Sequence, residues 1–245
     1  DGYQGTRPTH IPGSSRGIIM GGYNSPASKS TIEFLNISTT GNGSDFGDMS
    51  LAAAFGSANS SLTRTIMQGG YKDGSSFTET DTIQYIEMQS QGNAADFGNL
   101  LSTRANSAST GSCSSTRGLS EGGGTGGGGL VNEIEYITMA SVGNGTDFGD
   151  LTVSREVPAA CSSPTRGVTG GGADPGSSNV MDYVTIASTG DSTDFGDLTE
   201  GRTRNGACSS STRGVFSGGD PGPSLANVID YITIASTGDA TDFGD

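Results

Sequence analysis

An all-β fold, a five-bladed β-propeller with four antiparallel strands per blade, is what the sequence predicts, and three observations predict it. One phrase built on Asp-Phe-Gly occurs five times, with its Phe at Phe46, Phe97, Phe148, Phe195 and Phe243, at intervals of 51, 51, 47 and 48 residues. A period near 50 marks supersecondary units that bury their apolar surface against neighbours. The 245 residues include 42 Gly, no Trp and only 31% hydrophobic residues, yet the apolar positions recur at fixed phase, whereas a disordered chain scatters them. Each unit also offers four short apolar runs separated by turn residues, the strand count of a propeller blade. The chain therefore reads as one domain of five repeats, about 1–49, 50–100, 101–151, 152–198 and 199–245, expected to close a single ring.

Repeat one has a poorly patterned start. Ser15 to Tyr23 then reads as a strand ending in the glycine turn Gly21-Gly22, followed by a polar loop to Ser30, a second strand at Thr31 to Ile37 and a short element at Asp45-Phe46-Gly47-Asp48. Repeat two carries Thr63 to Tyr71, a longer loop through Phe77, Ile83 to Ile86 and Asp96-Phe97-Gly98-Asn99. In repeat three the loop becomes the glycine run Gly122 to Gly129, read as slack, before Ile134 to Ile137. Repeats four and five place Asp174-Pro175-Gly176 and Asp220-Pro221-Gly222 in that loop, where Pro fixes φ and Gly accepts φ > 0. The Tyr strand places Ile229 and Tyr231 on one face and Ile232 and Ile234 on the other, so it is apolar on both and predicts a sheet covered on both sides. Upstream, small runs such as Ala159 to Ser162 and Ala207 to Ser209 suit a crowded innermost strand.

These residues resemble a kelch-type repeat. Gly171-Gly172 ends one strand, Asp182-Tyr183 is the acid–Tyr step of the next, and Phe195 is followed by Leu198. Phe stands in every repeat where kelch blades usually carry Trp. The phrases ending in Thr-Asp-Phe-Gly-Asp are also similar to repeat arrays in virion and tail-associated proteins of tailed bacteriophages, notably marine ones. That resemblance implies a virion or extracellular location, a host-attachment role, and other virion proteins or further parts of a longer chain as partners. The sequence shows neither a signal peptide nor an initiator Met, as expected of a chain cut from something longer.

Charge and motif chemistry narrow the function. With 26 Asp+Glu against 12 Lys+Arg the net charge is −14, which repels phosphate backbones and argues against nucleic acid. The apolar runs are all far short of the ~20 residues of a membrane-spanning helix. Asp-Phe-Gly lacks the lysine strand and catalytic loop that surround it in kinases. The glycine run precedes a strand, whereas a phosphate-cradling loop precedes a helix. His10 is the single His, so no Ser-His-Asp arrangement is legible. Cys113, Cys161 and Cys208 occupy one repeat position, which suits small buried residues better than disulfides or zinc. No catalytic residue, metal site or cofactor is expected, and the protein reads as non-enzymatic.

Three features remain. Asn or Asp flanks the first motif Asp at three residues on either side, as in Asn93/Asp96/Asn99 and Asp191/Asp194/Asp197. Three such side chains do not complete a Ca²⁺ shell, so they are expected to bond nearby backbone N–H groups. Arg16, Arg64, Arg117, Arg166 and Arg213 recur in register and are expected to pair with motif carboxylates. The loops after the double Gly vary most. Those of repeats one and two carry Tyr23, Lys29, Tyr71, Lys72 and Phe77, the candidate binding residues, whose aromatic rings beside polar groups suit a host-surface glycan. The alternatives are a structural spacer of a phage particle and a secreted glycan hydrolase.

Overall fold

The computed structural model describes residues 16–73, 77–108, 112–222 and 224–245; His10 lies outside them. Five antiparallel sheets stand in a ring as a five-bladed β-propeller, with no helix among the described residues. Blades four and five have the predicted four strands: Ala159–Ser162, Arg166–Gly170, Val180–Thr185 and Thr193–Asp197, then Gly206–Ser209, Arg213–Ser217, Ile229–Thr233 and Thr241–Gly244. Blade two has Ser57–Ser60, Arg64–Gln68, Thr78–Glu87 and Ala95–Arg104, plus Tyr71–Asp73 beside the third. Blade one has three described strands, Arg16–Met20, Thr31–Asn36 and Ser44–Asp48. Blade three also has three described strands, Arg117–Thr125, Gly129–Thr138 and Thr146–Asp150, and an isolated bridge pairs Cys113 with Gly118. The glycine run is no slack loop: it continues both strands into a hairpin in which Thr125 pairs with Gly129, and Gly127 and Gly128 turn with φ of 99° and 84°.

The Asp-Phe-Gly phrase is a β-bulge. In blade four Gly196 pairs with Met181 and Asp194 with Asp182, so Phe195 is the extra residue; the same shift recurs in the other blades. The bulge turns each Phe edge-on to the aromatic ring of the neighbouring strand, at centroid distances of 5.7 to 6.0 Å. The Gly that follows takes φ between 135° and 148°, and at Gly47, Gly98, Gly149 and Gly196 a Cβ would run into the backbone of the next blade.

That next blade closes the contact. Gly92, Gly143, Gly190 and Gly238 donate N–H groups to the carbonyls of Phe46, Phe97, Phe148 and Phe195 at 2.7 to 2.9 Å. The flanking polar residues act here as well. Asn93, Asn144, Asp191 and Asp239 accept the N–H of Asp48, Asn99, Asp150 and Asp197 across the seam at 3.0 to 3.1 Å, rather than bonding only locally as expected. Four hydrophobic clusters, one per seam, make up the core.

Among the described residues, the glycine-to-Phe carbonyl bond of the first four seams does not recur between blades five and one. Phe243 is 57% exposed, whereas Phe46, Phe97, Phe148 and Phe195 are 2–3% exposed. A Cβ on Gly244 or on Gly41 would meet nothing within 4 Å. Cys113 and Cys161 are buried as expected, but Cys208 lies exposed on blade five. The physical reason is common to these positions: each is covered only by a following blade. Replacing a buried core Phe by Ala costs about 3–5 kcal/mol. Phe148→Ala is therefore expected to lower stability by about that amount in urea unfolding, and Phe243→Ala, measured on the same scale, by well under half as much.

Candidate functional site

The connection from each outermost strand to the next innermost strand passes the ring axis. Phe55, Asn106, Val157 and Arg204 stand there at equivalent positions, in left-handed backbone with φ of 59°, 57°, 50° and 56°. That conformation is costly for residues other than Gly, most of all for β-branched Val. A backbone chain holds it: the N–H of Asn106 bonds the Phe55 carbonyl at 2.8 Å, Val157 that of Asn106 at 2.7 Å, and Arg204 that of Val157 at 3.1 Å. The fold thus fixes this belt of backbone, and its side chains are an aromatic, an amide, an aliphatic and a cation.

Buried arginines anchor the belt. Arg104, Arg155 and Arg202, each two residues before a belt residue, are fully buried and pair with Glu135, Asp182 and Asp230, the acids beside the Tyr of the third strand. Arg155 also donates to the Val180 carbonyl at 2.7 Å. Blade two lacks both members: Ala53 replaces the arginine, and Gln84 bonds Leu51 instead. The arginines singled out from sequence do something else. Arg16, Arg64, Arg117, Arg166 and Arg213 lie over an aromatic ring of the third strand at 4.3 to 4.8 Å, and the first four donate to a carbonyl of the next blade at 2.8 to 3.2 Å. Among their side chains, Arg64 also pairs with a carboxylate, Glu87, at 2.8 Å. At Arg117 and Arg166, stacking and cross-seam bonding take the place of the expected pairing, and the motif Asp147, Asp150, Asp194 and Asp197 are solvent-exposed.

Above the belt lies a cavity of about 440 Å³, whose walls include Phe55, Tyr71, Phe77, Asn106, Arg204 and Asn205. Tyr23 and Tyr71 each pack on both Phe55 and Phe77, at centroid distances of 5.3 to 6.2 Å. The structure therefore brings three of the candidate residues, Tyr23, Tyr71 and Phe77, into one aromatic cluster at the mouth, with Phe77 itself at φ 48°. Lys29 and Lys72 are exposed and are not among the cavity walls. Asn106 donates to Glu156 at 2.8 Å and to the Tyr71 hydroxyl at 3.3 Å. Burial, and then the nearby Glu79 and Glu156 carboxylates, push the Tyr71 phenol up, so it stays a neutral donor. Asn205 is 2% exposed, and neither atom of its amide has a hydrogen-bond partner among the described residues.

Sequence reasoning missed Phe55, Asn106, Val157 and Arg204. Their signal was present, as positions 51, 51 and 47 residues apart whose neighbours repeat while they do not. No protein-family model matches the chain, and no curated protein matches it in sequence.

Two electrostatic outcomes follow from these burials. Asp182→Ala would strand the Arg155 charge, and breaking a buried pair costs about 3–5 kcal/mol. The double change Arg155→Met with Asp182→Leu is expected to recover most of that loss in urea unfolding. Glu121 is buried and accepts from the Thr169 hydroxyl at 2.7 Å. Burial pushes its carboxyl up from 4.5, against the hydrogen bond from Thr169. The folded chain then keeps this proton after the unfolded chain has released it. This group's contribution is favourable at low pH and is lost as pH rises above the ordinary carboxylate range. Glu121→Gln should gain stability relative to wild type between pH 4.5 and neutrality, as read by thermal midpoints across pH.

Proposed function

We propose that the protein is a non-enzymatic recognition module that holds a neutral glycan at the axial mouth, as a kelch-like propeller of a tailed-phage virion or tail appendage engaged in host attachment. The observation that carries this reading is the mouth itself. Aromatic faces from Tyr71 and Phe77 stand beside a buried amide, Asn205, whose hydrogen-bonding capacity is unspent within the described chain. Sugars present apolar C–H faces and hydroxyls that donate and accept, so they match aromatic planes next to an amide. Glu79, Glu156 and Asp220 lie near the mouth beside Arg204, so a neutral sugar suits the charge better than an acidic one.

The left-handed belt supports the same reading. Strained backbone persists where the surrounding fold over-determines it, and such positions cluster at ligand sites. An assembly spacer of the same particle is the second reading, favoured by the exposed apolar side chains Ile19, Leu35, Ile37 and Phe243. A glycan array followed by calorimetry tests the first. The expected outcome is binding of a neutral oligosaccharide, weakened about tenfold or more by Tyr71→Ala or Asn205→Ala and unchanged by Lys72→Ala, about 1.4 kcal/mol in the sensitive variants. Binding that survives Tyr71→Ala and Asn205→Ala would reject the mouth as the site, and sugar release from the array would reject the non-enzymatic reading.

A further inference from the structure

The glycine-to-Phe carbonyl bond and the Arg-to-carbonyl bond recur at the seams between blades one and two, two and three, three and four, and four and five. Neither bond therefore tells one blade from another. Two adjacent positions on the strand that ends at the double Gly do differ. One is the residue just before the double Gly: Met20, Gln68, Glu121 and Gly170 in blades one to four. The other is the residue before that: Met67, Ser120, Thr169 and Phe216 in blades two to five. Neighbours on a strand point to opposite faces, so the first position of a blade lies toward the second position of the next. The pairs match in kind. Met20 and Met67 share the cluster between blades one and two. Gln68 and Ser120, both buried, place an amide and a hydroxyl on the two sides of the next seam. Between blades three and four the Thr169 hydroxyl donates to the Glu121 carboxyl at 2.7 Å. Between blades four and five Gly170 has no side chain, and the Phe216 ring stands 3.1 Å from where its Cβ would be.

We propose that these pairs set the order of the blades. Each blade is matched to its own successor by one buried pair, and that match keeps near-identical blades from docking out of turn within a chain or between chains. Both failures are characteristic of repeat proteins. Wrong pairings are penalised by the chemistry of the pair. Glu121 or Gln68 against Phe216 would drive a polar side chain into space that an aromatic ring fills, and would leave it without a partner. Gly170 against Thr169 or Ser120 would leave a void where the Phe216 ring now packs. Met20 against Thr169 would take away the carboxyl that accepts the Thr169 hydroxyl. Gln68, Glu121, Ser120, Thr169 and Phe216 are all 0–2% exposed, so water does not soften a mismatch.

Complementarity and order are tested separately, on the full chain. A mild substitution cycle reads the first. Gly170→Ala and Phe216→Leu together should shift the urea midpoint by less than the sum of the two alone, because the smaller side chain makes room for the added Cβ. Rewriting a seam reads the second. Glu121→Gly with Thr169→Phe makes the seam of blades three and four a copy of the seam of blades four and five. Refolded from urea, this chain should give misdocked or multimeric material, seen by light scattering, that wild type treated alike lacks. Adding Gly170→Glu and Phe216→Thr exchanges the two pairs, so every seam again has its own match. This fourfold variant should refold with the wild-type yield and mass, although it carries twice as many changes. Three results would overturn the proposal. One is additivity in the mild cycle. Another is wild-type refolding of the chain with two like seams. The last is equal misassembly of the copied and the exchanged variants, which means that lost stability alone is responsible.

Discussion

One constraint organises this fold: the carbonyl of a bulged Phe must meet the N–H of a glycine in the next blade. The bulge exists because the Gly after Phe takes φ near 142°, which an L-residue with a Cβ adopts only with strain. The close approach exists because both backbones lack a Cβ at the point of contact. Phe supplies the apolar surface of the seam, and Asn or Asp three residues before the motif Asp supplies its second hydrogen bond. Removing any member separates blades and not merely strands, because almost all apolar burial lies between sheets.

Repetition of that seam gives the ring a constant geometry, which then places the mouth. Each of the four connections leaves the bulge strand and turns through a left-handed residue at the axis, and three of them pass a buried Arg held by an acid of the repeat they enter. The expensive backbone is set by the anchor on one side and by the belt of N–H to carbonyl bonds on the other. The belt side chains are thereby freed from structural duty. Phe, Asn, Val and Arg can occupy one framework position because the framework does not depend on which is there.

Much of this was legible in the sequence, and the gaps have physical causes. The period, the Tyr strand and the bulge Phe were visible because identical burial demands identical residues. The left-handed belt was hidden for the opposite reason: variable side chains on invariant backbone look like loop noise. The two sets of arginines were interchanged. Arg16, Arg64, Arg117, Arg166 and Arg213 stand in the more conspicuous motif, but stacked on Tyr or Phe the first four stay only partly buried and Arg213 stays exposed. Arg104, Arg155 and Arg202 sit in unremarkable sequence yet are the fully buried ones. Their shared phase with Glu135, Asp182 and Asp230, and the joint replacement by Ala53 and Gln84 in blade two, was the readable sign. Tyr23, Tyr71 and Phe77 could be nominated as exposed loop aromatics, but their convergence on Phe55 depends on the angle between blades, which sequence does not state.

Repeat arrays that end in water usually carry terminal units with a polar outer face, since an unmodified repeat exposes the surface its neighbour would cover. The described residues of the first and last blades keep apolar seam positions exposed. Blade five repeats the seam phrase almost letter for letter down to Phe243, and blade one keeps Ile19, Leu35 and Ile37 where a preceding blade would pack. Contiguous apolar surface of this kind marks an interaction site in a soluble protein. The two ends also match, one offering donors and apolar side chains where the other offers carbonyls and an aromatic ring. The chemistry that holds the blades together is therefore the same chemistry still exposed at Phe243 and at Ile37.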